Sequence, residues 1–174
     1  MNTSISNALL NDAGAIVALR TAVALGMTQD FGAGPWSASP DLSEVELQLR
    51  VSHVLVARRG AGIIGTVRLA TVIQAAIDSS SFTPVALALY VLGLAVAPDC
   101  RVMGVGRHLL EAAKGIVRSR PQTALWLDAY EHAAGAGPFY IKCGFRERGR
   151  TTHDGMPLIY YEWLETGKDG RSIR

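Results

Sequence analysis

Residues 87–117, LALYVLGLAVAPDCRVMGVGRHLLEAAKGIV, constrain the fold most tightly. The first ten form a nearly all-apolar run, the pattern of a strand buried in the middle of a sheet. Beyond "APDC" the spacing becomes helical, with Val105, Leu109, Ala112, Ala113 and Ile116 on one apolar face. Gly104 and Gly106 fall in the first turn, although glycine inside a helix costs about 1 kcal/mol against alanine. Bare backbone at a helix start has two uses. It lets the helix pack closely on a sheet, or it offers free N–H groups and the positive end of the helix dipole to an anion. Arg101 and Arg107 bracket the turn, either solvated or adding charge-assisted contacts to such an anion.

The rest of the chain places this unit in a mixed α/β class. NDAGAIVALRTAVALG (residues 11–26) reads as a helix capped by Asn11 or Asp12, and DFGAGPWSASP (30–40) as a loop carrying Phe31 and Trp36. A second helix is expected over residues 41–51, then strands HVLVAR and IIGTVRLATV around a turn at RGAG. The connection over residues 73–86 exceeds an ordinary hairpin loop, as lids and binding loops do. After the glycine-started helix come a strand at ALWLDAY, a small-residue helix over about His132–Cys143, and an antiparallel pair at residues 144–153 and 156–165. Tyr160 and Tyr161 alternate on the last strand, so one should face the core and the other outward. Residues 1–165 are expected to form a single domain, with 166–174 a polar tail.

A second glycine cluster, GAGIIG (residues 60–65), matches the G-x-G-x-x-G dinucleotide fingerprint in letters only. That fingerprint needs a helix to begin at the glycines, whereas β-branched IIGTV continues as a strand. These glycines are assigned to a hairpin turn.

Charge excludes some functions. A net charge of +2 over 174 residues, without a basic stripe, gives no footprint for nucleic acid. No apolar run long enough for a membrane span and no signal peptide are expected. Cys100 and Cys143 make no metal-ligand spacing with each other or with His53, His108, His132 or His153. No metal site is expected, and the reduced cysteines suit the cytoplasm.

The spacing Arg101-x-x-Gly104-x-Gly106 after LGLAVAPD resembles the acetyl-CoA signature of the GCN5-related N-acetyltransferase (GNAT) superfamily, Q/R-x-x-G-x-G/A. GPFYIKCGFRERG is similar to that family's F-Y-x-x-x-G-F segment, and the resemblance covers roughly Val54 to Glu162. It implies a central, mostly antiparallel mixed sheet flanked by helices, whose fourth and fifth strands splay apart around the pantetheine arm. By carry-over, the backbone of Leu94, Ala95 and Val96 would bond that arm. Arg101, Val102, Met103, Gly104, Val105, Gly106 and Arg107 would hold the pyrophosphate. The implied reaction is direct transfer of acetyl from acetyl-CoA to an amine in a ternary complex, and the two aromatic-bearing loops suggest the primary amine of a small molecule. Acetylation of a protein lysine or N-terminus is the alternative within the class, and a non-catalytic acyl-CoA-binding module the alternative outside it. A homodimer through the C-terminal strands is compatible with the resemblance.

Such a transfer needs a neutral amine, donors for the oxyanion, and a proton for the departing thiolate. Backbone N–H groups around Leu94–Val96 are candidates for the second. Tyr140 holds the tyrosine position of F-Y-x-x-x-G-F, where the resemblance implies an acid facing the CoA sulfur; the alternative is a tyrosine that only packs between helix and sheet. The base is open. Many relatives carry a glutamate on the fourth strand, yet LALYVLGLAV has no carboxylate, and Tyr90 stands near where that acid often falls. A water relay, or Asp78, Asp128 or Glu131, could replace it, though each carboxylate also reads as a cap or surface charge. Ala133 stands where an asparagine often touches the pantetheine. Phe31, Trp36, Asp78, Phe82 and Tyr90 are candidates to line the acceptor site. An aromatic wall with an acid suits an amine, although Trp36 and Phe82 could equally anchor their loops to the core.

Overall fold

A computed structural model describes residues 3–71, 78–120 and 123–165. The start of the long connection, through residue 77, and the polar tail at 166–174 lie outside the described residues. The chain forms a seven-stranded mixed sheet flanked by helices. Its strands are β1 (Thr3–Asn7), β2 (His53–Arg59), β3 (Gly62–Ala70), β4 (Ala88–Val96), β5 (Ala124–Tyr130), β6 (Arg146–His153) and β7 (Met156–Leu164). They lie in the order β1-β2-β3-β4-β5-β7-β6. β4 and β5 are parallel, while β1–β2, β2–β3, β5–β7 and β6–β7 are antiparallel. The helices are α1 (Ala13–Phe31), α2 (Leu42–Val51), α3 (Val105–Arg118) and α4 (Gly137–Lys142).

The chain divides into two compact units, Met1–Leu69 with Leu92–Ala113 and Ala70–Val91 with Lys114–Arg174. The boundary cuts β4 between Val91 and Leu92. The β4–β5 ladder runs from Ala88↔Ala124 to Tyr90↔Trp126 and stops there. Three residues later Gly93 takes a left-handed φ of 57°, a backbone state that L side chains resist. A glycine inside an apolar strand is the sequence signal of such an irregularity.

In the first unit Ala13, Ile16, Val45, Val54 and Val56 form a core against which Ala8, Val17, Leu49 and Ile63 pack. α2 begins as expected, with the Asp41 carboxylate accepting from Glu44 N at 2.8 Å. Three features differ from the sequence reading. β1 pairs with β2 from Thr3↔Arg59 to Asn7↔Leu55, although TSISN carries one apolar residue; its register rests on backbone hydrogen bonds, which leave no periodicity to read. α1 continues to Phe31, because nothing breaks it before Gly32 at φ 80°. Counted from the preceding 3-10 turn, Leu10–Phe31 makes a 22-residue helix long and apolar enough by composition to cross a membrane, contrary to expectation. Ile16 and Leu19 of that helix are nevertheless buried within the unit, and Arg20 bonds Gln48 at 3.2 Å.

Gly60, at φ 61°, makes the hairpin turn read from the sequence. Gly65 does something else. It lies within β3, where an added Cβ would meet Val105 Cγ1 at 2.9 Å and Leu109 Cδ1 at 3.1 Å. The first turn of α3 therefore sits directly on this strand.

In the second unit the helix expected over about 132–143 is only Gly137–Lys142. His132–Gly135 instead forms a turn, with Gly135 N bonding His132 O at 2.8 Å and Ala134 N bonding His132 Nδ1 at 3.0 Å. A side chain at Gly135 would run into the Tyr130 carbonyl, and Pro138 suits the helix start that follows. Tyr160 and Tyr161 are both buried, at 1% and 2% exposure. They do point to opposite faces, but both faces are covered. Phe82 packs on Tyr160 at 5.1 Å and Tyr140 on Tyr161 at 6.0 Å between ring centroids.

Candidate active site

The first unit gathers the residues assigned to the cosubstrate into one continuous turn. β4 delivers Leu94, Ala95 and Val96, and Ala97 N closes onto Ile64 O of β3 at 2.9 Å. Pro98–Met103 then forms a 3-10 turn that buries Cys100 and exposes Arg101, Val102 and Met103. Gly104 follows in the left-handed conformation at φ 75°, and α3 starts at Val105. An added Cβ at Gly104 would meet only His108 Cε1, at 4.0 Å. Conformation, not crowding, calls for glycine there. The result is an exposed backbone turn at the start of a 14-residue helix, whose first N–H groups have no partner inside the helix. Buried Val105 anchors the turn from below, Gly106 is half-buried and Arg107 exposed. Among the described residues Arg101 pairs with Asp30 in a long surface contact at 3.4 Å.

Phe31 and Trp36 belong to the same unit. Phe31 is exposed at the end of α1; Trp36 is half-buried and donates Nε1–H to Gly32 O at 2.9 Å. Thr28 Oγ1, bonded to Ser37 Oγ at 2.6 Å, ties this loop to α1.

The second unit holds the remaining candidates. Tyr90 on β4 is 1% exposed and donates its hydroxyl to Asp128 Oδ1 on β5 at 2.5 Å. Burial first, then the Asp128 charge and this hydrogen bond, pushes the Tyr90 phenol far above its ordinary range, so it remains a donor. Phe82 stacks on Trp126 at 4.6 Å and meets Tyr90 edge-on at 6.4 Å, so it is a core side chain. Its segment is clamped at both ends. Asp78 N donates to Tyr160 Oη at 3.2 Å, while Thr83 gives its N–H and hydroxyl to buried Glu162, both at 2.8 Å. The Asp78 carboxylate is exposed and caps Ser80 N at 2.9 Å. Trp126 Nε1 is buried with no acceptor among the described residues.

Tyr140 sits in α4, buried among Phe139, Phe145 and Tyr161. Gly137 admits the Tyr161 hydroxyl where any side chain would collide with it. Burial, followed by the charge of Asp128, pushes the Tyr140 phenol well up. Asp128 also raises Tyr130, second to burial. Among the described residues, no group of three or more His, Cys, Asp or Glu could hold a metal ion.

A family model described as an acetyltransferase (GNAT) domain matches residues 50–147, more than half the chain. The chain belongs to the GNAT acetyltransferase family. Solved structures agree on the fold. Ribosomal-protein-alanine N-acetyltransferase from Brucella melitensis aligns at TM-score 0.69 and 19% identity, covering 93% of this chain and 99% of that one. YncA from Salmonella typhimurium, solved with its cofactor acetyl-CoA, aligns at 0.70 and 16%, covering 98% and 99%. PaiA N-acetyltransferase from Thermoplasma acidophilum, in complex with coenzyme A, aligns at 0.71 and 13%, covering 94% and 100%. No curated protein matches the sequence.

Within this GNAT chain three relationships escaped the sequence reading. The Tyr90–Asp128 hydrogen bond needs the β4–β5 register, which pairs Tyr90 with Trp126 and puts Asp128 two residues further along the same face. The Gly93 irregularity had a signal, glycine within an apolar strand, that went unused. The Glu162 clamp on Thr83 joins residues 79 apart and had none.

Proposed function

We propose that this protein transfers the acetyl group of acetyl-CoA directly to the primary amine of a small molecule. The observation that carries this is the exposed turn at residues 101–104, with left-handed Gly104 opening α3, in a chain of the GNAT family. The residues fit a pyrophosphate. Exposed N–H groups at a helix start and the helix dipole suit an anion, and Arg101 and Arg107 add positive charge. Leu94, Ala95 and Val96 supply backbone groups for the pantetheine arm. The cosubstrate brings an activated acetyl thioester; this chain holds it, keeps the attacking amine neutral, and returns a proton to the thiolate. Tyr140 is the proposed acid, since its buried hydroxyl is protonated throughout the neutral range.

The small-molecule acceptor is favoured by the clamped segment 78–83. Phe82 is stacked down on Trp126 and Tyr160, and both ends are bonded to β7. A loop held down in this way suits a covered site better than an open peptide groove. We place the protein in the cytoplasm and treat residues 1–165 as one functional domain.

Free-thiol release from acetyl-CoA, measured with ethanolamine, n-butylamine, histamine and an alanine-terminated peptide, tests the proposal. Amine-dependent release with the small amines supports it. Release only with the peptide favours a protein acceptor, and tight CoA binding without turnover makes the chain a binding module.

A further inference from the structure

The missing acid of β4 has a counterpart on the next strand. We infer that Asp128 is the general base of this enzyme and that Tyr90 is its positioning residue. This rests on the acetyl-transfer reading above.

Glu131 is held by Arg150 at 2.9 Å, and Asp78 caps Ser80 N on the surface. Glu162 is buried but bonded to Thr83 N, Thr83 Oγ1 and Arg148 Nε. Asp128 differs from all three. It is half-buried, Tyr90 holds one of its oxygens, and no basic side chain pairs with it among the described residues. Its other oxygen has no donor among them either. Phenols surround it on its own face of the sheet: Tyr90 from β4, Tyr160 opposite it on β7, and Tyr130 two residues along its own strand. A carboxylate fixed by one donor and left with a free oxygen among tyrosines can take a proton from an ammonium.

The step balances. The acceptor arrives as R–NH3+, one N–H bond breaks, and the proton forms an O–H bond on Asp128. The neutral amine attacks the thioester carbonyl, and the C–S bond breaks as the tetrahedral adduct collapses. The nitrogen's second proton ends on the sulfur by way of Tyr140, and Asp128 returns its proton to solvent.

The test compares two nucleophiles. Ethanolamine is protonated at neutral pH, like a lysine amine of pKa about 10.4. Hydroxylamine is largely neutral there and needs no base. Asp128→Asn is expected to slow transfer to ethanolamine about 100-fold, within the range for general base catalysis, while slowing transfer to hydroxylamine no more than about threefold. Tyr90→Phe is expected to lower kcat for ethanolamine about tenfold at unchanged KM. Equal losses with both nucleophiles, or no loss with either, overturn the assignment. Wild-type protein that acetylates neither nucleophile overturns the small-amine reading on which this assignment rests, a result read before any variant is made.

Discussion

Lys114 Nζ, on a residue only 5% exposed, donates to the carbonyl of Cys143 at 2.6 Å. Cys143 caps the C-terminal end of α4, so a cation from α3 meets the negative end of the helix that carries Tyr140. The rings of Phe145 and Trp163 lie 5.8 and 5.4 Å from the same nitrogen. Lys114→Met should therefore cost about 2 kcal/mol, as expected for losing a charge-assisted hydrogen bond. Urea unfolding should show a lower midpoint at unchanged slope. If α4 owes its position to this contact, kcat falls as well.

Gly104→Val separates the backbone turn from the rest of the fold. A β-branched residue at φ 75° costs about 1–2 kcal/mol in backbone strain, while the space around the site is open. The protein should stay folded by circular dichroism with a slightly lower Tm. Its Kd for coenzyme A, measured by calorimetry, should rise about tenfold or more, or at least 1.4 kcal/mol. Unchanged affinity would remove the pyrophosphate from this turn.

Tyr140→Phe should lower kcat about 100-fold with little change in the KM for acetyl-CoA. Burial, and then Asp128, raises the phenol above its ordinary value of about 10, so the acid form persists through the mildly alkaline range. The wild-type kcat should consequently show no alkaline loss up to about pH 9. A fall centred near pH 8 would show that some other group supplies the proton.

Asp12 accepts from Leu9 N at 2.7 Å and from Arg58 Nη2 at 2.6 Å, joining the start of α1 to β2. Burial alone would raise its pKa, but the Arg58 hydrogen bond, the Leu9 N–H and the Arg58 charge together hold it below the usual carboxylate value. A depressed folded pKa contributes stability above the unfolded value of about 3.9, and loses it as pH falls through the folded value. Asp12→Asn should cost about 1–3 kcal/mol at pH 7. The gap between wild type and variant should narrow below about pH 4 in parallel denaturant titrations.

What could be read from the sequence was local. The apolar run of β4, the helical spacing of α3 and the helix over residues 41–51 each lie within a few consecutive residues, and each is found in the structure. β1 left no trace, because TSISN is held by backbone pairing. The turn at His132–Gly135 was read as helix, because small residues favour helices until a carbonyl such as that of Tyr130 occupies the space a side chain would need. From the sequence Phe82 either lines the acceptor site or anchors its loop; in the structure it stacks in the core on Trp126, a neighbour 44 positions away.

The sequence by itself determined the mixed α/β class, the family signature at Arg101–Gly106 and the absence of an acid from β4. Those depend on spacing along one chain, which side-chain periodicity and glycine geometry encode directly. Only the tertiary structure brought Asp128 to the hydroxyl of Tyr90, set α3 onto Gly65 and locked Thr83 to Glu162. Each of these depends on strand register or on a contact between distant segments. A hydrogen bond forms only when both partners arrive within about 3 Å, and no local pattern specifies that approach.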